Sequence, residues 1–352
     1  IFGAVSSSEI QYSLINGLFK LEYRGYDSAG ISLMTGSQKI KRVRCVGKVK
    51  NLKKILNASK SSGYCGIAHT RWATHGQPIL KNSHPHNSSK VSIVHNGIIE
   101  NSEELKSFLK KRSFKFTSDT DSEVIAHLFS YYAQNAASSI QAMKEVTKKL
   151  KGSFAIAAIC ERWPEQLLAA CNGSPLLIGT KKGSNFISSD IYALSDNTNT
   201  YVPLQDNEIV ELSSSNYQIY NFSGKKITRK VTKAKKQNSE INKDGYKHFM
   251  QKEIYEQQNI ISSAIKHQIG NQGLLPNIFG PNSDKLLLKT KHIHFVACGT
   301  SYNAALIAKY WIEEITDIVC TAEIASEYRY RTANVPPGTL FVAISQSGET
   351  AD

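Results

Sequence analysis

Three polar segments in the first part of the chain carry side chains suited to binding an amino acid. The first, His69–Pro78 (HTRWATHGQP), follows a short apolar run and places an Arg beside a Trp, with Thr and His just beyond. Because the planar guanidinium of Arg71 can form two parallel hydrogen bonds, this segment is suited to bind a carboxylate. Its Gly and Pro end the loop sharply, and the alternative interpretation is an ordinary hairpin loop.

The second segment, Val94–Asn101 (VHNGIIEN), contains an Asn-Gly dipeptide after a predicted strand. The side-chain amide of Asn96 and the backbone N–H of Gly97 are the donor types that form an oxyanion hole. Removing one such donor typically costs about 3 kcal/mol of barrier lowering. Asn-Gly is also a common turn signal, so a plain turn is the alternative.

The third segment, Thr120–Glu123 (TDSE), combines acidic residues with residue types that begin helices. The Asp121 carboxylate is suited to bind a ligand ammonium group. The alternative is a helix N-terminus with Asp119 or Asp121 as its capping residue, because Asp and Ser are favoured at that position. The residues alone leave both interpretations open.

Two turns rich in Ser and Thr, Gly299–Ser301 and Ser345–Thr350, each follow a strand-like run and precede a predicted helix start. Ligands of open parallel sheets bind at the carboxyl ends of the strands, where helix N-terminal amides favour phosphate. The turns match neither a dinucleotide fingerprint nor a P-loop. We therefore predict a phosphate ester as the ligand, and simple helix capping is the alternative.

The spacing of histidines and cysteines does not predict a metal site. Five histidines fall within 27 residues: His69, His75, His84, His86 and His95. His84 and His86 flank a proline and make a poor chelating pair, and no Cys-x-x-Cys accompanies them. The six cysteines are scattered, as expected for reduced thiols of the cytoplasm. We expect no metal and no cofactor.

The composition indicates an ordered globular protein of about two domains. The chain has 352 residues, with 43 Lys+Arg against 29 Asp+Glu, and a formal net charge of +14. Basic surfaces attract nucleic acid, but no nucleic-acid-binding motif accompanies the charge, and small anionic substrates explain it equally well. No apolar run approaches the roughly 18 residues of a membrane span. We expect a cytoplasmic protein with no nucleic-acid or membrane partner.

Two different scaffolds must position these segments. Up to about residue 211, β-rich runs alternate with amphipathic helices, and four runs between 153 and 189 predict a meander-like series. The basic stretch at 225–236 indicates a strand that leads into a linker. From residue 255, a helix and a βαβαβ series predict a parallel sheet. The predicted boundaries are 1–224, 225–254 (the basic linker) and 255–352.

The segments occur in an order that resembles one enzyme family. Leu21–Gly30 (LEYRGYDSAG), His69–Pro78, His95–Asn101 and Thr120–Glu123 resemble the glutaminase domain of the glutamine–fructose-6-phosphate aminotransferases. Met250–Gln257, Ala297–Ser301 and Ser345–Asp352 resemble the start of the sugar-isomerase half of those enzymes. The resemblance covers essentially the whole chain. The isomerase segments separate it from other glutamine amidotransferases.

The resemblance implies both a fold and a reaction. The fold class is α/β and α+β: an N-terminal-nucleophile hydrolase αββα sandwich, followed by an incomplete parallel-sheet αβα sugar-isomerase (SIS) domain. In this family an N-terminal Cys attacks the side-chain amide of L-glutamine, with its own α-amino group as base. The ammonia passes inside the protein to fructose 6-phosphate and yields glucosamine 6-phosphate. A homodimer is implied as well.

The resemblance also implies roles for individual residues. Asn96 and Gly97 match the oxyanion hole, Arg71 the residue that holds the glutamine α-carboxylate, and Asp121 the residue that holds its α-ammonium group. The other glutamine-site matches are Arg24 in the pocket wall, Trp72 at an ammonia channel, and Thr74 and His75 on a closing loop. The sugar-phosphate matches are Thr300, Ser301, Ser345, Gln346, Ser347 and Thr350.

The chain departs from the family pattern at both ends. The family has Cys-Gly immediately before the stretch that corresponds to Ile1–Gly3, and most of the isomerase half follows the point where this sequence stops. We therefore expect a fragment of an active enzyme that is inactive as written. Two alternatives are an amino-sugar-phosphate deglycase or isomerase, and a non-catalytic sugar-phosphate-binding regulator, each with a decayed glutaminase domain.

Overall fold

Short β-rich runs and amphipathic helices build two structural units, which divide near residue 236. The computed structural model describes residues 1–59, 61–71, 77–233, 245–266, 269–270, 273–274 and 283–345. The strands of the first unit are β1 Phe2–Ser6, β2 Ser28–Met34, β3 Ile40–Val46, β4 Cys65–Arg71, β5 His86–Ser88, β6 Val91–Ile99, β7 Gly152–Cys160, β8 Trp163–Asn172, β9 Leu177–Lys181, β10 Ser184–Ser188, β11 Thr200–Pro203, β12 Glu208–Leu212, β13 Tyr217–Asn221, β14 Lys226–Ile227 and β15 Thr232–Lys233.

These strands form two antiparallel sheets. One sheet has the strand order β15-β11-β9-β10-β1-β4-β2-β3, and the other has the order β14-β13-β12-β8-β7-β6-β5. The central strand β7 (GSFAIAAIC) is almost continuously apolar because both of its faces are covered. Side chains from both sheets, including Ile67 and Leu167, form one buried cluster, so the sheets pack face to face.

Helices cover the outer faces of both sheets. They are α1 Gln11–Leu21, α2 Val49–Ala58, α3 Ser102–Lys110, α4 Glu123–Ala133, α5 Ser139–Thr147 and α6 Ile191–Leu194. Helices α1, α2 and α6 share a buried cluster with the eight-stranded sheet, and α3, α4 and α5 share one with the seven-stranded sheet. The predicted αββα sandwich is confirmed.

Helix α2 illustrates why these helices form and where they pack. Val49, Leu52 and Leu56 recur at helical spacing and are buried, whereas Lys50 and Lys54 on the opposite side are exposed. Burying each large apolar side chain contributes about 1.5–3 kcal/mol. Helices α2 and α5 are not predicted from the sequence.

One sequence expectation differs from the structure of the first unit. The predicted meander is split, because β7 and β8 belong to the seven-stranded sheet, whereas β9 and β10 belong to the eight-stranded one. The basic stretch at 225–236, where a strand is predicted, contains the short strands β14 and β15. Strands β14 and β15 each add a short edge to one sheet, where exposed Lys side chains are well tolerated.

The second unit is built around a parallel sheet. Its elements are α7 Phe249–Lys266, β16 Ile269–Gly270, β17 Gly273–Leu274, α8 Ser283–Leu287, β18 His292–Ala297, α9 Gly299–Ile315, β19 Val319–Ile324, α10 Ala325–Arg329 and β20 Thr339–Ile344. Strand β18 lies between β19 and β20 and pairs with both in parallel, as predicted. Helix α9 packs on this sheet through Ala305 and Ile312. Helix α7 begins six residues before the predicted start at Tyr255. Among the described residues, no helix has the length and apolarity needed to cross a membrane.

The cysteines provide a test of this packing. All six lie in the described part of the chain and none forms a disulfide bond there; five are buried, and Cys298 is partly exposed. Burial raises the pKa values of the other five, those of Cys65 and Cys171 to about 12. We predict that the native protein at pH 8 has a single fast-reacting thiol towards a disulfide reagent, and six after denaturation. Cys298→Ser should remove the fast phase, and a second fast thiol in the native protein would contradict the packing.

Candidate active site

Asn96 and Gly97 lie inside a strand and not at a turn. Within β6, Asn96 pairs with Ala155 and Gly97 with Phe154 on β7. Gly97 has a φ of +133°, and a Cβ at this position would lie 2.1 Å from the Ser153 carbonyl oxygen. Only glycine fits such a close approach in this conformation. The turn interpretation of Asn-Gly is therefore wrong, and the half-buried Asn96–Gly97 pair sits on a tightly held strand.

Two side-chain contacts connect β6 to the segment that precedes α4. The Asp121 Oδ2 accepts a hydrogen bond from the backbone N–H of Ile99 at 2.8 Å. The buried His95 Nδ1 lies 2.9 Å from the Ser122 hydroxyl oxygen. The first bond holds the Asp121 carboxylate beside Ile99, which lies two residues after Gly97 on β6. This carboxylate is half-buried, so it retains oxygen lone pairs at a partly desolvated position.

Glu123, and not Asp119 or Asp121, organises the chain at the start of α4. Its carboxylate accepts five hydrogen bonds, from the backbone N–H groups and hydroxyls of Thr117 and Ser118. Burial raises the pKa of Glu123, but the hydrogen bonds from His127 and from these two residues outweigh it and hold the pKa far below its usual range. Ser122, the N-cap residue, forms no side-chain cap bond. The predicted capping by Asp119 or Asp121 is wrong.

Arg71 is the last residue of β4 and is buried. Its Nη1 donates to the Gln77 carbonyl oxygen at 3.3 Å, and its own carbonyl accepts from the Asp27 N–H at 3.1 Å. A guanidinium at the end of a strand can bind a carboxylate through two parallel hydrogen bonds.

Four of the clustered histidines lie together between Arg71 and β6. The ring centroids of His69 and His84 are 4.3 Å apart, and those of His84 and His86 are 4.7 Å apart. Burial lowers the pKa values of all three, and the positive charge of Arg71 lowers them further. His95 also lowers the pKa of His69, so the β4 and β6 histidines are within electrostatic range. Neutral imidazoles therefore lie between Arg71, at the end of β4, and the strand β6 that carries Asn96.

The sequence spacing of these histidines bears only on metal binding, for which it is poorly suited. Among the residues that the structure describes, no three His, Cys, Asp or Glu side chains are arranged to hold a metal ion. Their alternation on strands β4 and β6, with the apolar residues around them, is the signal for burial in the sandwich. The roles of His95 and Ser122 have no signal of their own, because their contact joins residues 27 positions apart.

The second unit brings its two Ser/Thr turns together. Ala297 at the end of β18 is paired in register with Ile344 at the end of β20. Ser345 therefore follows β20 beside Cys298, which directly precedes α9. Thr300 and Ser301 lie in the first turn of α9, the former exposed and the latter half-buried. Hydroxyls and N-terminal amides thus lie at one edge of the parallel sheet, as predicted.

Several predicted site residues lie outside this description. Trp72, Thr74, His75, Gln346, Ser347 and Thr350 fall outside the described residues. The backbone of Arg24 belongs to the short 3-10 turn Glu22–Arg24 that follows α1, and its side chain is not described.

Two family models match the chain. A model described as "Glutamine amidotransferase domain" matches residues 67–196, which span β4 to β10 with the Asn96 and Asp121 segments. A model described as "SIS domain" matches residues 286–352, which include β18, α9 and β20.

Curated relatives match over the full chain. The glutamine–fructose-6-phosphate aminotransferase [isomerizing] of Haemophilus influenzae is 44% identical over 352 residues, which cover 100% of this chain and 58% of the relative. The protein of the same name from Pseudomonas putida is 43% identical over 353 residues, with the same coverage. The chain is thus similar over its full length to glutamine–fructose-6-phosphate aminotransferases. It spans 58% of the length of these family members.

A solved structure supports the fold of the first unit. The glutamine phosphoribosylpyrophosphate amidotransferase of B. subtilis, complexed with ADP and GMP, matches with a TM-score of 0.55 at 24% identity. The match covers 63% of this chain and 48% of that structure. At this identity the likeness concerns the fold alone. The match therefore supports the αββα sandwich of the first unit.

The close approach at Gly97 predicts a specific sensitivity. Gly97→Ala should lower the free energy of unfolding by about 2 kcal/mol or more, because the new Cβ meets the Ser153 carbonyl and φ is unfavourable for alanine. Gly36→Ala is the matched control, since a Cβ there meets nothing within 4 Å. Urea unfolding of both variants measures the difference. Equal stability of the two variants would contradict the close approach.

The buried histidines predict an acid-labile first unit. Burial lowers the pKa of His86 to about 3 and those of His69, His84 and His95 below their usual value. The unfolded chain binds protons on these groups near pH 6.5, whereas the folded chain does not. The free energy of unfolding should therefore fall by about 1.4 kcal/mol per pH unit for each such histidine below pH 6.5.

Urea unfolding between pH 7.5 and pH 5.5 measures this loss. Glu123 adds little in that window, because an unfolded Glu titrates near pH 4.3. His248 is exposed, so His248→Gln should leave the pH profile unchanged. A free energy of unfolding that stays flat over the same range would contradict the neutral state of the buried histidines.

Proposed function

We propose that the first unit binds L-glutamine and, in the intact protein, hydrolyses its side-chain amide. The ammonia is then transferred to fructose 6-phosphate in the isomerase half, which gives glucosamine 6-phosphate. The names of the full-chain relatives support this proposal, as do the paired glutamine amidotransferase and SIS domains.

The register between β1 and β4 is the observation that carries the proposal. Phe2 pairs with Ala68 in antiparallel fashion, so each earlier position on β1 moves one residue further along β4. In the family pattern the nucleophilic Cys stands two residues before the position of Ile1. Continued in the same register, that Cys lies opposite Arg71. The nucleophile and the proposed carboxylate-binding guanidinium then share one strand end.

The roles of the described residues follow from their chemistry. Arg71 binds the α-carboxylate of glutamine, and Asp121, oriented by the Ile99 N–H, binds the α-ammonium group. The thiolate attacks the amide carbon, and its proton passes to the α-amino group of the same Cys. The Asn96 amide and the Gly97 N–H stabilise the oxyanion that forms. Arg24, Trp72, Thr74 and His75 keep the roles that the family resemblance gives them.

The strand ends of the second unit bind the phosphate of the sugar. Thr300, Ser301 and Ser345 lie at one edge of the parallel sheet, where hydroxyls and helix N-terminal amides favour a phosphate. Gln346, Ser347 and Thr350 belong to the same proposed pocket. The domain boundaries at 224 and 254, the homodimer and the cytoplasmic location also stay proposals.

Steady-state kinetics of the full-length enzyme test the glutamine site. Arg71→Gln and Asp121→Asn should each raise the KM for glutamine at least tenfold, because each removes a charge partner of the substrate. Asn96→Ala should lower kcat by about 10²–10³-fold with a smaller change in KM. Lys90→Gln, at an exposed position in the β5–β6 turn, is the control and should leave both constants unchanged. Wild-type constants in Arg71→Gln and Asp121→Asn would refute the assignment.

Ammonia release with and without fructose 6-phosphate tests the coupling of the two reactions. We expect sugar phosphate to stimulate glutamine hydrolysis and glucosamine 6-phosphate to accumulate in step with glutamate. Deamination of glucosamine 6-phosphate without glutamine-dependent synthesis would favour the deglycase alternative. Binding of the sugar phosphate without any turnover would favour the regulator.

A further inference from the structure

A basic cavity lies at the open edge of the sandwich, apart from the residues assigned to glutamine. It is bounded by the edge strands β3 and β5, the segment 113–117 and helix α4, and its volume is about 410 Å³. This volume is in the range of small-molecule sites. Its charged lining residues are Arg42, Arg44, Lys81, Lys115 and Glu123. We refer to it as the edge cavity.

The positive charge of the edge cavity is not balanced by its carboxylates. Glu123 directs both oxygens to Thr117 and Ser118, and Lys81 faces Asp119 at 2.9 Å. Among the described residues, neither Arg42 nor Arg44 forms an ion pair with a carboxylate, and Lys115 has no polar partner.

Backbone carbonyl groups hold the guanidiniums of Arg42 and Arg44 in place but do not use all of their N–H donors. Arg42 and Arg44 are two residues apart on β3, so their side chains leave the same face of the strand. Each donates only from Nη1, Arg42 to the Pro85 carbonyl and Arg44 to the Ser83 and Lys81 carbonyls. A guanidinium has five N–H donors, so the Nε and Nη2 donors of both residues have no acceptor in the described part of the chain.

The electrostatic cost of this arrangement indicates an anionic ligand. Burial lowers the pKa of Arg42, and burial together with the charge of Arg42 lowers the pKa of Arg44 to about 10, while the Glu123 carboxylate opposes both shifts without cancelling them. Two cations that lie close together in a partly desolvated site repel each other. An anion bound between them offsets both the repulsion and the cost of desolvation.

The backbone conformation at the rim of the cavity also indicates a ligand site. Ser89 and Ser113 both line the cavity, and both adopt positive φ values, +49° and +66°. Glycine adopts this conformation without strain, whereas serine supplies a hydroxyl. Strained residues of this kind are found preferentially where a ligand is held.

We propose that the edge cavity binds a phosphorylated small molecule through its phosphate group. Paired guanidiniums bind the oxygens of a phosphate bidentately, and Lys115 and the Ser89 and Ser113 hydroxyls add further donors. The site is separate from the sugar-phosphate turns of the second unit and does not depend on the proposed glutaminase reaction.

Calorimetric titration with inorganic pyrophosphate tests the proposal. The titrations use the chain with Thr300→Ala and Ser301→Ala, so that the proposed phosphate turns of the second unit do not contribute. We expect saturable binding that weakens as NaCl is raised, because the contacts are ionic. Arg42→Gln/Arg44→Gln should weaken the binding at least tenfold. The charge-matched control Lys50→Gln/Lys54→Gln, on the exposed side of α2, should change it less than twofold.

A second variant separates loss of binding from loss of folding. Arg42 and Arg44 donate to backbone carbonyls, so their replacement also loosens the 81–85 segment. Lys115 has no such bond, and Lys115→Glu should weaken binding at least fivefold with an unchanged melting temperature. The proposal is overturned if pyrophosphate does not bind, or if Lys115→Glu and the control variant bind equally well.

Two further ligands identify the source of the phosphate. ADP and glucose 6-phosphate are titrated in the same background. Tighter binding of ADP than of pyrophosphate assigns the cavity to a nucleotide, and tighter binding of glucose 6-phosphate assigns it to a sugar phosphate. Equal affinity for all three means that the cavity recognises the phosphate alone, which also supports the proposal.

Discussion

The close pairing of β6 with β7 at Gly97 is the constraint on which the proposed glutamine site depends. The Ser153 carbonyl approaches Gly97 so closely that no side chain fits, and the pairing with β7 holds the backbone at Asn96 and Gly97. The same strand carries His95, bonded to Ser122, and Ile99, bonded to Asp121. One strand therefore sets the relative positions of the proposed oxyanion donors and of the carboxylate proposed to bind ammonium.

The first unit contains two different arrangements of basic side chains, one at Arg71 and one at Arg42 and Arg44. Burial keeps the imidazoles of His69, His84 and His86 neutral, so they fill the space beside Arg71 without adding positive charge to it. The Arg71 guanidinium is suited to a single carboxylate. At the edge cavity, Arg42 and Arg44 lie together, and neither forms an ion pair with a carboxylate of the described residues. The first arrangement serves the proposed amino-acid site, and the second is the basis for a separate phosphate site.

The second unit depends on a different constraint, the parallel register of β18 and β20. Pairing Ala297 with Ile344 brings two distant turns to one edge of the sheet. A parallel sheet always gathers the carboxyl ends of neighbouring strands in this way, so the chemistry can be carried by short turns. This is why strand order together with the Ser and Thr turns predicts a phosphate ester at this edge.

The sequence by itself determined the local elements and the family resemblance. Apolar periodicity predicted most strands and helices, the βαβαβ series predicted the parallel sheet, and the motifs predicted Arg71, Asn96 and Asp121 as candidates. Only the tertiary structure decided the partners. It placed Asn96–Gly97 within a strand, assigned β8 and β9 to different sheets, bonded Glu123 to Thr117 and Ser118 and Asp121 to Ile99, and formed the edge cavity. The physical reason is that periodicity is a property of neighbouring residues, whereas burial, pairing and charge balance depend on contacts between residues far apart in the chain.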